Sequence, residues 1–289
     1  MSTPLFKRDY VLYVRKAKND TENTVLEIRN LRCSFKIKKT TELTPNTAEI
    51  KIYNLSDETR RKLKTKGGYI HFEAGYEGAL TQTYQGNIRE IDHTREGTEW
   101  VTTFYSSDGL VPLQVPQCNQ TFPPDTSKAE AAKQIASYMQ TSGLSVDPAQ
   151  LEAIEGSLPN GMAVSGNAAK NMTKLVEGAG YSWSIQDGKL QIRKKGQAAK
   201  GKTLLISPDS GLVGSPSHVT PNSNNTKKVA HVKAQCLLFG NIVCGCKIAV
   251  QSENINGVFL VDSVEHHGDT WGQDWYTEVE GVALPEQIA

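Results

Sequence analysis

Leu31-Arg32-Cys33-Ser34-Phe35-Lys36-Ile37-Lys38 alternates apolar and polar side chains without a break. A strand places successive side chains on opposite faces, so this period of two describes a strand with one buried and one wet face. Ala48, Ile50 and Ile52 repeat the pattern against Glu49, Lys51 and Tyr53, and Pro45-Asn46 reads as the turn that feeds them. Working outward, strands are expected at Tyr10–Val14, Val25–Ile28, Ile70–Ala74, Thr83–Ile91 and Trp100–Tyr105. Glycine-bearing turns at Gly75–Gly78 and Asp108-Gly109 separate the later ones. One short helix interrupts them. Ser56 can cap it, Asp57 and Glu58 occupy its first turn, and Arg60, Arg61, Lys62 and Lys64 its end, all matching the helix dipole. Many short strands with one such helix predict a small antiparallel barrel or sandwich.

The composition changes after Asp108-Gly109. Val111–Asp125 holds four prolines and no charge before Asp125, which predicts a linker laid over a surface. Helices are expected at about Ser127–Thr141, with Ala132, Ile135, Ala136 and Met139 on one stripe, and at about Asn167–Glu177, capped by Ser165 or Asn167. Ser182–Gln186, Asp187-Gly188 and Lys189–Ile192 then spell a two-residue hairpin with a favoured turn pair. Strands return at Thr203–Ser207, Val229–Leu238, Ile242–Gln251, Val258–His266 and Trp275–Leu284, and Ser210–Lys228 reads as a long mobile loop. The expected fold class is mainly β with a smaller α+β insert. The expected domains are a first β domain at 1–110, an α+β domain at 111–199 and a second β domain at 200–289.

The chain has 289 residues, with 32 Lys+Arg against 31 Asp+Glu, so nothing in the global charge calls for a nucleic acid or a membrane surface. Mean hydropathy is −0.44, and Ala234–Cys246, the longest uncharged apolar stretch, is too short and too polar to span a bilayer. MSTPLFKRDY lacks the apolar core of a signal peptide, so a chain made and folded in a cytosol is expected. The neutral total hides a polarity. Residues 1–66 carry 16 Lys/Arg and 8 Asp/Glu, whereas residues 251–289 carry 8 Asp/Glu and no Lys or Arg. Either the ends have drifted in composition, or two surfaces of opposite sign attract, within a chain or between copies.

Chemistry is thinly represented. Gly196–Thr203 fits the phosphate-loop pattern G-x-x-x-x-G-K-[ST], but Arg193-Lys194-Lys195 precedes it and a proline-terminated strand follows. A phosphate loop needs a buried strand before it and a helix N-terminus after it, so a basic linker is expected instead. Glu265-His266-His267-Gly268-Asp269 looks like a metal or acid–base cluster, yet adjacent histidines on a strand face opposite ways, and structural histidines are expected. Cys33, Cys118, Cys236, Cys244 and Cys246 are an odd set read as packed thiols. There is no Gly-x-Ser-x-Gly nucleophile elbow and no Cys with a local His partner, so no catalytic, cofactor-binding or metal residue is assigned.

Several stretches in order carry a resemblance: Thr44–Leu55, Ala74–Gly78, Tyr84–Ile88, Asp108-Gly109, Gly211–Pro216, and His267–Thr270 followed by Trp275. From about Phe6 to Leu284 the chain resembles the baseplate hub proteins of tailed bacteriophages, especially the small hubs of contractile tails. The resemblance implies a non-enzymatic, homotrimeric ring between the hexameric tail tube and the trimeric central spike. Each subunit would carry two tube-like antiparallel β-barrel modules. It implies the tube protein or a tube initiator and the spike as partners, with the tape measure protein as a further one. DNA would be only cargo passing through the lumen. The place implied is the virion tail, assembled in the host cytoplasm; related hubs serve phage-like secretion particles. The competing readings are a tail-tip cell-wall hydrolase and a carbohydrate- or receptor-binding β module.

Overall fold

The computed structural model describes residues 6–15, 26–63, 68–199, 201–219 and 231–284. The first β region runs β1 (Arg8–Arg15), β2 (Leu26–Ile28), β3 (Cys33–Thr40), β4 (Asn46–Tyr53), α1 (Asp57–Lys62), β5 (Tyr69–Tyr76), β6 (Ala79–Glu96) and β7 (Glu99–Asp108). β3 buries Cys33, Phe35 and Ile37 as its alternation requires, and Lys39 lies in the same inward register. Ser56 caps α1 by accepting from the Thr59 N–H. β6 reaches five residues past the expected Ile91, because its outer half pairs residue for residue with β7 while staying largely exposed. A half-exposed hairpin arm has no apolar face to betray its length.

A second unit comprises residues 41–45 and 108–199. It contains α2 (Leu110–Gln114), β8 (Gln117–Phe122), β9 (Thr126–Ser127), α3 (Lys128–Gln140), α4 (Pro148–Glu152), β10 (Ser157–Leu158), β11 (Met162–Asn167), α5 (Ala168–Gly178), β12 (Tyr181–Gln186) and β13 (Lys189–Lys194). The expected linker at Val111–Asp125 is instead α2 and β8. Pro112 sits in the first turn of α2, where its missing N–H costs nothing, and β8 pairs with β11 through backbone groups that polar residues supply as well as apolar ones. Ser127 and Asn167 cap α3 and α5. Asp187 and Gly188 both take positive φ, 51° and 69°, which matches the twist of the two-residue hairpin they close. Ala132, Ile135, Met139, Met172, Leu175 and Trp183 belong to this unit's own core.

The last β region holds β14 (Leu204–Ile206), a 3-10 turn at Pro208–Ser210, β15 (Leu212–Val219), β16 (His231–Leu237), β17 (Lys247–Gln251), β18 (Asn256–Asp269) and β19 (Trp275–Ala283). The loop expected at Ser210–Lys228 is a strand up to Val219, with its remainder outside the described residues. Ile242–Cys246, expected as the start of a strand, is a turn.

The two β regions are hydrogen-bonded to each other. β18 pairs antiparallel with β3 from Ser263↔Thr40 to Asp269↔Ser34. Among the described residues the path of the main sheet runs β15-β16-β19-β18-β3-β4-β7-β6-β5-β1-β2, with β17 and β14 attached through β18. The sheet curls. Phe35 on β3 meets Phe72 on β5 edge to face at 4.9 Å, although three strands lie between them along the path. One apolar cluster fills the curl of the first region and takes in Leu238 and Trp275 from the last. Another, including Ile206, Cys236, Ile248, Phe259 and Val279, belongs to the last region alone.

Candidate functional site

A dense set of ion pairs lies where the two β regions join. On the outer face of the β3–β18 pair, Glu265 takes Lys36 at 2.8 Å and Lys38 at 3.3 Å, and Arg32 takes Asp269 at 2.9 Å. The basic early chain and the acidic late chain therefore meet within one molecule. Burial alone would raise the Glu265 and Asp269 carboxyls, but the lysines and Arg32 outweigh it and hold both below the ordinary carboxylate range. Groups held ionised in this way are poorly suited to general acid catalysis. Several other charges of the two ends find local partners: Arg60 and Arg61 pair with Asp57, Lys62 with Glu58, and Glu278 and Glu280 with Lys233.

At one end of this seam the β18–β19 turn is held from several sides. The Arg8 guanidinium donates to the carbonyls of Asp269, Gly272 and Gln273 at 2.9, 2.6 and 2.7 Å. Cys33 N–H donates to Thr270 Oγ1 at 3.0 Å, and Trp271 N–H to Asp269 Oδ1 at 2.9 Å. Gly272 lies against the Asp269 side chain, where an added Cβ would stand 2.9 Å from its Cβ. The turn is rigid, and at its tip Trp271 is 73% exposed. A groove of about 480 Å³ runs beside it, lined among others by Lys36, Lys51, Tyr53, Glu265, His267 and Asp274.

The sequence's other chemical suggestions are not brought together. His266 is fully buried with Nδ1 2.9 Å from Thr277 Oγ1, while the partly buried His267 faces the other way against the Tyr276 ring. Burial, with Lys39 nearby, pushes His266 well below the usual histidine range. Gly196 ends the β12–β13 hairpin, and Gly201–Thr203 runs straight into β14 with no helix behind it, so the phosphate-loop geometry is missing. No disulfide joins the cysteines; burial raises Cys33 and Cys246 and pushes Cys236 up to about 12, which makes these three weak nucleophiles. Among the described residues no three His, Cys, Asp or Glu side chains group as metal ligands, and no helix is long and apolar enough to cross a membrane. What the sequence reading missed is the turn, because its clamp comes from Arg8, more than 260 residues away.

Solved structures share this architecture end to end. A tail protein from Neisseria meningitidis MC58 aligns over 94% of this chain and 96% of its own, with TM-score 0.64 and 11% identity. The chain has the tail-protein fold. The 43 kDa tail protein of prophage MuSo2 from Shewanella oneidensis matches over 96% and 98% of the two chains, at TM-score 0.63 and 10% identity. An E. coli component of the type VI secretion system, described as similar to the T4 tail proteins gp27 and gp5, matches 89% of this chain and 76% of its own at 0.57 and 11%. Neither a family model nor a curated protein sequence matches.

Proposed function

We propose that this chain is the structural hub of a phage tail baseplate, a homotrimeric ring that adapts a hexameric tail tube to a trimeric central spike. Residues 1–110 and 200–289 are the two tube-like β modules and 111–199 the insert. The observation that carries this reading is the pair of β cores lying side by side along one hydrogen-bonded sheet. A trimer facing a six-fold tube must offer six similar contacts, and two β modules per chain supply them. The match to tail proteins over nearly the whole of both chains supports the same plan. The partners are the tube protein or its initiator, the spike, and the tape measure protein, with DNA passing through the lumen; the place is the virion tail.

The chain does no chemistry in this role. Glu265 and Asp269 are tied up in ion pairs, and burial raises the Cys33, Cys236 and Cys246 thiols. Light scattering at micromolar concentration should give three times the 31.7 kDa chain mass, and negative-stain images a three-fold ring. A monomer or dimer at all salt concentrations overturns the hub reading. Lysis of purified peptidoglycan by the chain would overturn the non-enzymatic one.

A further inference from the structure

Of the chain's four tryptophans, Trp183 and Trp275 are buried and Trp100 is half covered, its ring under the Arg60 guanidinium at 4.2 Å. Trp271 alone stands clear of the surface, and it does so on a turn whose Asp269, Gly272 and Gln273 carbonyls accept from Arg8. Holding a large aromatic ring in water is unfavourable, and a preorganised tryptophan loses little entropy on docking. Beside it, Asp274 is exposed, in a tail of the chain without a single Lys or Arg from 251 onward.

The opposite arrangement occurs at β14. This three-residue strand is joined, among the described residues, only to β17, and its Leu205 is 41% exposed. The exposed Lys202 precedes it, and Lys247 starts the strand beside it. The ends of the sheet path are poor templates for strand addition: β2 has three residues, and β15 carries Pro216 and a register shift between Val213 and Ser217. Neither end of the path therefore offers a long flat edge for strand pairing between copies.

We infer that the Trp271 turn of one copy docks on the β14 edge of a second copy, the indole over Leu205 and Asp274 toward Lys202 and Lys247. The contact joins two different patches, so it is head-to-tail, the kind of contact that a three-fold ring requires. It rests on the ring reading and specifies its interface.

The test uses two full-length variants, Trp271→Ser and the double variant Leu205→Ser/Lys202→Glu, weighed by light scattering beside the parent. All substituted residues are exposed, so both variants should keep the parent's melting temperature. With a trimeric parent, each variant alone should fall from three chain masses to one. An equimolar mixture should reach two chain masses and stop, because one intact turn meets one intact edge. A variant that remains trimeric, or a mixture that stays monomeric, overturns the docking while the ring stands. A parent that is itself monomeric overturns the ring reading, and this interface with it.

Discussion

At the residue scale, His266 and Gly268 show what the interior of β18 demands. His266 is neutral in the folded chain, whereas an unfolded histidine takes a proton below about pH 6.5. The unfolded state then binds more protons than the folded one, so this contribution is complete above about pH 6.5 and declines as the pH drops further. In His266→Gln the loss of stability between pH 7.5 and 5.5 should be smaller than in the parent. Equal losses in urea midpoints would remove His266 as the cause. Gly268 faces Trp275 and Phe35, whose ring atoms would lie 2.5 and 2.8 Å from an added Cβ. Rings packed edge to face at 5.2 Å cannot withdraw cheaply, so Gly268→Ala should destabilise by about 1–3 kcal/mol, read from denaturant unfolding.

At the element scale, the Asp187-Gly188 hairpin is the clearest local signal, and the second unit relies on it. The Gly188 N–H donates to Asp108 Oδ1 at 2.9 Å and its carbonyl accepts from Ser145 N–H at 2.9 Å, so the turn is fixed from outside as well as by its own φ values. Gly188→Ala puts a Cβ in the left-handed region and should cost about 1 kcal/mol. A variant as stable as the parent would mean that the turn relaxes. Removing the α3 cap in Ser127→Ala should also cost about 1 kcal/mol, because the Glu130 N–H then loses its acceptor.

At the scale of the whole molecule, the insert and the first β region differ in independence. Residues 108–199 close a core of their own, so that fragment should unfold cooperatively when expressed alone, as judged by near-UV circular dichroism and urea titration. Residues 1–110 alone should not. They would lose the β18 partner of β3 and the Trp275 ring that fills their core, whose indole N–H donates to the Gly75 carbonyl at 3.1 Å. A cooperative transition in the 1–110 fragment would show that the first β region closes without the last.

The sequence by itself determined the elements whose cause is local. The alternation through Cys33–Ile37, the Ser56 cap, the helix starts near Ser127 and Asn167, and the Asp187-Gly188 turn depend on neighbours a few residues away, and each lies where its pattern placed it; of the two caps open for the second helix, Asn167 is the one used. The opposite charges of the two ends were legible too, as a count without a position. Tertiary structure alone decided that count's meaning, because Lys36 meets Glu265 only once β3 and β18 pair across more than two hundred residues. It also turned the proline-rich stretch after Val111 into α2 and β8, since β8 owes its existence to the backbone of β11 rather than to its own side chains. The same holds for the Trp271 turn. Nothing in Thr270–Asp274 announces a rigid loop; the rigidity comes from Arg8 and Arg32, and long-range hydrogen bonds leave no period in a sequence.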